Sequence, residues 1–174
     1  MYTTLRCCLL TIITLSTYST AYAQLDWRDV GDILQIALPA SAYSTTLFHK
    51  DFQGTWEYTE ALSTTMGSAF ALKYTVQRER PNGSVRSFPS GHTAAAFSAA
   101  GFLERRYGWW YGIPAFALAS LTGYSRVKSN QHWTSDVLAG AAIGIATNFY
   151  FTDRYHLTPI VGDDTTGIQI EIPF

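Results

Sequence analysis

The chain has 174 residues, room for one domain and little for a second. Charged residues make up 14% of it against the ~25% usual in soluble proteins, while apolar types reach 47% and aromatics 15%. That mixture excludes intrinsic disorder and collagen-like repeats, and a formal net charge of −1 excludes nucleic-acid binding by bulk charge.

Residues 1–23 read as a secretory leader. Arg6 supplies the positive charge, Cys7 to Leu15 form a nine-residue apolar stretch too short for a bilayer, and Ala21-Tyr22-Ala23 is an A-x-A cleavage site before Gln24. An uncleaved anchor is the alternative reading. Cleavage leaves 24–174 as the mature chain, with no cysteine, because Cys7 and Cys8 both lie in the leader. Such a chain enters an oxidising compartment without a disulfide and offers no thiolate as nucleophile or metal ligand.

The mature chain has a helical pattern. A first apolar stretch covers 29–49, with Pro39 bending it or starting a segment. A second covers 56–79, opening after Gly54-Thr55 and closing before Pro81, since the residue ahead of a proline is pushed out of helical geometry. Pro81-Asn82-Gly83-Ser84 has turn chemistry. A third helix is predicted over about 92–106, with Ser90 as N-cap and Arg105 and Arg106 at its C-terminal end. Two more follow, over about 109–124 and about 133–151. The last contains Ala139-Gly140-Ala141-Ala142-Ile143-Gly144, small enough for a neighbouring backbone to come close. In the tail, Ile168, Ile170 and Ile172 alternate with polar residues as in a strand, with no recognisable partner. The expected fold is all-α: a compact bundle of five or six helices over 24–158 and a short strand-like tail over 159–174.

Charge is unevenly placed. Between Lys73 and Asp136 eight basic residues face three acidic ones, net +5; the rest of the mature chain has three basic and ten acidic, net −7. Within the basic stretch three short pieces stand out. Lys73 and Arg80-Pro81 are seven residues apart, two turns of a helix, which puts both side chains on one face. Pro89-Ser90-Gly91-His92 sits where a loop enters a helix, and free amides with the positive end of the helix dipole make an anion site there. Ser125-Arg126 is followed by His132 and Asp136, which on a helix lie close enough for a carboxylate–imidazole hydrogen bond. Three cations, a helix N-terminus, two histidines and one carboxylate are what phosphate capture and transfer through histidine require.

These pieces resemble the three-part signature of the type-2 phosphatidic acid phosphatase superfamily, which includes membrane lipid phosphatases, periplasmic acid phosphatases and vanadium haloperoxidases. The resemblance covers 73–136, every motif position being filled in order, with a short connector of seven residues between Arg80-Pro81 and Pro89. It implies that Lys73, Arg80, Ser90, Gly91 and Arg126 hold the phosphoryl oxygens. It also implies that His132 is the nucleophile, Asp136 its orienting carboxylate and His92 the general acid. No metal or other cofactor is implied, and His49 and His156 lie outside the motifs.

The expected substrate is a phosphorylated lipid, such as phosphatidic acid or a polyprenyl diphosphate, or a small phosphomonoester. A non-catalytic phosphate- or lipid-binding protein is the alternative outside enzymology. Uncharged stretches at 33–49, 107–125 and 137–152 contain glycine, proline and hydroxyl residues, and mean hydropathy is only +0.02. The expected placement is exported, either periplasmic or resting against a membrane, with a compact integral protein acting at the bilayer surface as the competing placement. The aromatic clusters Trp109-Trp110-Tyr111 and Phe149-Tyr150-Phe151 read equally as interfacial belts or as core.

Overall fold

A computed structural model describes residues 26–153, 156–161 and 166–171. The leader reading at 1–23 lies outside the described residues. Five helices follow in order: α1 Trp27–Phe48, α2 Phe52–Thr75, α3 Gly91–Tyr107, α4 Trp109–Lys128 and α5 Thr134–Phe151. After them come two strands, β1 His156–Val161 and β2 Thr166–Glu171, paired antiparallel with Pro159 opposite Ile168. The tail strand therefore has a partner. Pro159 conceals it in the sequence, because proline demotes so short a run from a strand reading.

α3 is the centre of the bundle and packs against all four other helices. It is buried on every side, from Thr93, Ala94, Ala95 and Ala96 to Phe102 and Leu103, as a helix without a polar face must be. Its alanines set how close the neighbours come, and Leu38, Tyr58, Ala115 and Ala119 close the core around them. α5 comes closest. A Cβ on Gly140 would lie 2.4 Å from the Ser90 carbonyl, and one on Gly144 would lie 2.5 Å from the Ala94 carbonyl and 2.7 Å from the Ser98 amide. The small-residue run thus does what its composition predicts. Buried polar groups add direction to this seam. Asn148 Nδ2 donates to the Ser98 carbonyl and hydroxyl, and Thr65 of α2 meets Thr147 of α5 at 2.6 Å.

Both limits of α2 differ from the sequence reading for local reasons, and α4 runs on to Lys128. α2 begins ahead of Gly54, because Asp51 caps it by accepting from the Gly54 amide at 2.8 Å. Asp51 is itself gripped by Arg106 through Nε and Nη2, at 2.8 and 2.7 Å, and a Cβ on Gly54 would collide with that carboxylate. α2 also ends early, at Thr75. Val76 turns extended, and the chain then folds on itself through Arg80 N to Ser84 O and Ser87 N to Arg78 O. Lys73 and Arg80 are consequently not two turns apart on one helix.

α1 to α4 alternate in direction, with Gly108 alone joining α3 to α4 and the longer 76–90 loop joining α2 to α3. The start of α1, the end of α2, the start of α3, the end of α4 and the start of α5 gather at one end of the bundle. The opposite end carries exposed aromatics. Phe48, Phe52, Trp110 and Tyr150 are each about four-fifths exposed, so the two aromatic clusters are surface and not core, apart from the half-buried Phe151.

The α3–α5 seam yields a paired test. Gly144→Ala drives a methyl into backbone and is expected to cost about 1–3 kcal/mol, as overpacking does. Gly67→Ala, on α2 with no atom within 4 Å of the new Cβ, is expected to stabilise by about 0.5–1 kcal/mol. Urea unfolding of both variants measures the contrast.

Candidate active site

The gathered helix ends enclose a pocket of about 210 Å³. Lys73 reaches it from α2, Arg80 from the following loop, Gly91 and His92 from the first turn of α3, and His132 from the α4–α5 connection. Gln35 of α1 and Met66, Ala69 and Phe70 of α2 form the remaining wall.

Each polar side chain owes its position to a local device. Lys73 Nζ donates to the Pro89 carbonyl at 3.0 Å and to the Arg86 carbonyl at 3.2 Å, tying the end of α2 to the loop. Arg80 gives Nη1 to Gln131 Oε1 at 3.3 Å, while its Nε is buried with no partner. α3 starts at Gly91, and Ser90 caps it with a buried hydroxyl that accepts from the Thr93 amide. The leading amides of α3 carry no helical partner by geometry and present a positive end to the pocket. Ser90 N donates to the Asp136 carbonyl at 3.0 Å, which joins the start of α3 to the start of α5.

His132 is placed by a turn. Asn130 adopts a left-handed conformation, φ 55°, and brings the Gln131 and His132 amides back onto the Arg126 carbonyl at 2.9 and 3.2 Å. The residue precedes α5, so His132 and Asp136 are not stacked one turn apart on a helix. Their expected hydrogen bond is not made: Nδ1 lies 3.9 Å from Asp136 Oδ2 and is buried without a partner. Asp136, fully buried, spends its oxygens elsewhere. Oδ2 accepts from the Trp133 amide at 3.0 Å and from the Ser87 hydroxyl, and Oδ1 accepts from Arg78 Nη1 at 2.8 Å. In this geometry the carboxylate ties the 76–90 loop to the start of α5. Arg78, which also lies over the Trp133 ring, belongs to this tie. It sits inside the first motif's spacer, and no spacing signal marks it.

Arg126 does not line the pocket. It is buried behind His92, with Nη1 2.7 Å from Asp32 Oδ1 and Nη2 on the Arg28 carbonyl. His92 Nε2 lies 2.9 Å from the same Asp32 oxygen. Of the eight sequence-predicted residues, Lys73, Arg80, Gly91, His92 and His132 face the pocket. Ser90, Arg126 and Asp136 stand behind it as support. Asp32 and Gln35, both on α1, are additions that sequence reasoning missed. An isolated carboxylate and amide on an ordinary amphipathic helix carry no signal.

The electrostatics follow from burial and like charge. Desolvation, then Arg80 and Lys73, push His132 down to about 3 from its ordinary value. At neutral pH its ring is therefore uncharged. Desolvation first and Arg80 second also lower Lys73, while His92 is lowered by burial and Arg126 against the opposing pull of Asp32.

This has a consequence for stability. Between pH 6.5 and about 3 the unfolded chain binds a proton at His132 that the folded chain excludes, so stability falls as pH is lowered through that window. The slope is at most about 1.4 kcal/mol per pH unit from this residue. Asp51, held at about 2, adds a loss of the same sign in the lower part of the range. Urea unfolding between pH 7 and pH 4 is expected to show this decline, and His132→Gln to flatten it.

Known proteins resemble this chain in sequence and in fold. A sequence profile of the PAP2 superfamily covers residues 54–157. A lipid A 4′-phosphatase of Helicobacter pylori is 34% identical over 157 residues, 80% of this chain and 79% of that protein. A lipid A 1-phosphatase of Porphyromonas gingivalis is 40% identical over 110 residues, 61% of this chain; the match spans 24% of that protein. Among solved structures, LpxE of Aquifex aeolicus aligns with a TM-score of 0.54 at 26% identity, over 71% of this chain and 90% of its own. The profile takes in more than half the chain and every motif position, and the Helicobacter relative is matched over most of its length. The chain belongs to the PAP2 superfamily and is a phosphatase.

Proposed function

We propose that this phosphatase hydrolyses a lipid-borne phosphate through a phosphohistidine formed on His132. The observation that carries the reading is one pocket holding an uncharged, buried imidazole opposite two cations and a helix N-terminus. The unpartnered Nε of Arg80 is a donor that a phosphoryl oxygen completes. Lys73 and the leading amides of α3 supply further positive character. Fixed donors of this kind act where negative charge spreads in the transition state, the main work in phosphoryl transfer.

In the first step His132 attacks phosphorus with its ring nitrogen remote from Asp136, and the bond to the leaving oxygen breaks. His92 gives that oxygen its proton, and the product alcohol departs. In the second step His92 takes a proton from water, the resulting hydroxide oxygen bonds to phosphorus, and the P–N bond breaks to release inorganic phosphate. A bound dianion favours the charged form of His92 and offsets the cations that lower it.

The substrate class rests on the other wall. Met66, Ala69 and the half-exposed Phe70 line the pocket. An apolar wall against a phosphate cradle favours a phosphate attached to hydrocarbon, and the lipid A phosphatase relatives point the same way. We read the chain as exported and resting with this end against a lipid surface. No helix among the described residues is long and apolar enough to cross a membrane.

Loss of the nucleophile is expected to lower turnover by about 10⁴-fold or more in His132→Ala, while Asp136→Asn, at a supporting carboxylate, costs less. Near-normal turnover by folded His132→Ala rules out the covalent route. Phosphatidic acid and a polyprenyl diphosphate in vesicles are expected to be cleaved faster than p-nitrophenyl phosphate at equal concentration. The reverse order assigns the chain to small soluble phosphomonoesters, and binding without cleavage of any of them makes it a binding protein.

A further inference from the structure

We propose that Asp32 of α1 is a positioning residue for this reaction: one carboxylate oxygen holds His92 as the leaving-group acid and seats Arg126 behind it. The proposal rests on the reading of His92 as general acid. Asp32 lies outside the residues matched to the family, 54–157, and outside every motif.

The geometry is a bridge. Asp32 Oδ1 stands 2.9 Å from His92 Nε2 and 2.7 Å from Arg126 Nη1. Engaging Nε2 leaves Nδ1 as the only ring nitrogen free to serve the leaving oxygen. The start of α1 is shaped to this contact. A Cβ on Gly31 would lie 2.2 Å from Ser125 Oγ and 2.3 Å from Arg126 Nη2, so α1 reaches its seat only with glycine there. Arg126 Nη2 donates to the Arg28 carbonyl in the same turn, and Arg28 itself lies 4.0 Å from Asp32.

Charge gives the bridge its consequence. Facing His92 are Arg126 from α4, Arg80 from the loop, and Lys73 and uncharged His132 across the pocket; Asp136 stands behind His132. Among these, Asp32 is the carboxylate in contact with the ring. It opposes the cations and the burial that favour loss of the His92 proton. Because the Asp32 side chain is 44% exposed, its effect is screened and graded rather than absolute.

Aryl phosphates of unequal leaving group make the role measurable. Phenyl phosphate releases a poor leaving group that needs the acid, and p-nitrophenyl phosphate releases a good one that does not. Asp32→Asn keeps the accepting oxygen and removes the charge. It is expected to lower kcat on phenyl phosphate about tenfold more than on p-nitrophenyl phosphate, a fraction of a full general-acid effect. His92 then loses its proton at lower pH, so the alkaline limb of kcat for phenyl phosphate moves to lower pH. Asp32→Glu is expected to recover most of the loss, and Asp32→Asn to add little to His92→Ala. Should Asp32→Asn not fold, as read by thermal unfolding, Asp32→Ser gives the same comparison. Equal losses on both substrates with an unmoved pH limb, while His92→Ala discriminates between them, overturn the proposal. Equal losses on both substrates in His92→Ala remove the acid reading, and this proposal with it.

Discussion

The approach of α5 to α3 at backbone distance governs the molecule. With no side chain at Gly140 or Gly144, α5 lies on the carbonyls of Ser90 and Ala94, and the Ser90 amide reaches the Asp136 carbonyl. Two helix N-termini are then held side by side at one end of the bundle. His92 leads one of them and His132 precedes the other, so both imidazoles enter a single pocket without either helix being bent toward it. Larger residues along this seam separate the termini, and with them the two histidines.

Support around the pocket is denser than its lining. Asp136 joins the loop after α2 to the start of α5 through Arg78, Ser87 and the Trp133 amide. Lys73 ties the end of α2 to the same loop through two carbonyls. At the start of α1, Arg126 is surrounded by Asp32, the Arg28 carbonyl and Gly31. Buried charges of this kind contribute little net stability, since desolvation offsets their attraction. Their consequence here is placement: a loop that supplies Arg80 is fixed at several points, and a buried guanidinium is aimed. The second charged cluster, Arg106 with Asp51 and Glu57, plays the corresponding structural part at the far end of the bundle by capping α2.

The two imidazoles of the pocket are both lowered by burial and nearby cations, but they differ in what touches them. His132 is buried among cations and makes no ion-pair hydrogen bond, so its charged form is disfavoured and its lone pair is available. His92, less buried, has a carboxylate in contact with Nε2. Two histidines within one cationic end of a bundle thereby acquire different environments.

The all-α class, the five helices and the pocket's main residues were legible from the sequence because they are local. Apolar periodicity, caps and the motif spacings each depend on a few neighbouring residues. The glycine-rich run in α5 was legible as a close-packing surface for the same reason. What faces what is not local. Asp136 sits at the correct spacing from His132 yet bonds to Arg78 and Ser87, because His132 precedes the helix and the 76–90 loop folds over the carboxylate. Arg80 enters from a loop and not a helix face, since α2 stops at Thr75. Asp32, about sixty residues before His92, becomes its partner only when α1 packs alongside α3 and α4. Sequence by itself determined which chemical groups are present and which elements carry them. Only tertiary packing decided their partners, because a hydrogen bond is settled within about 3 Å, a scale that residue spacing along the chain does not specify.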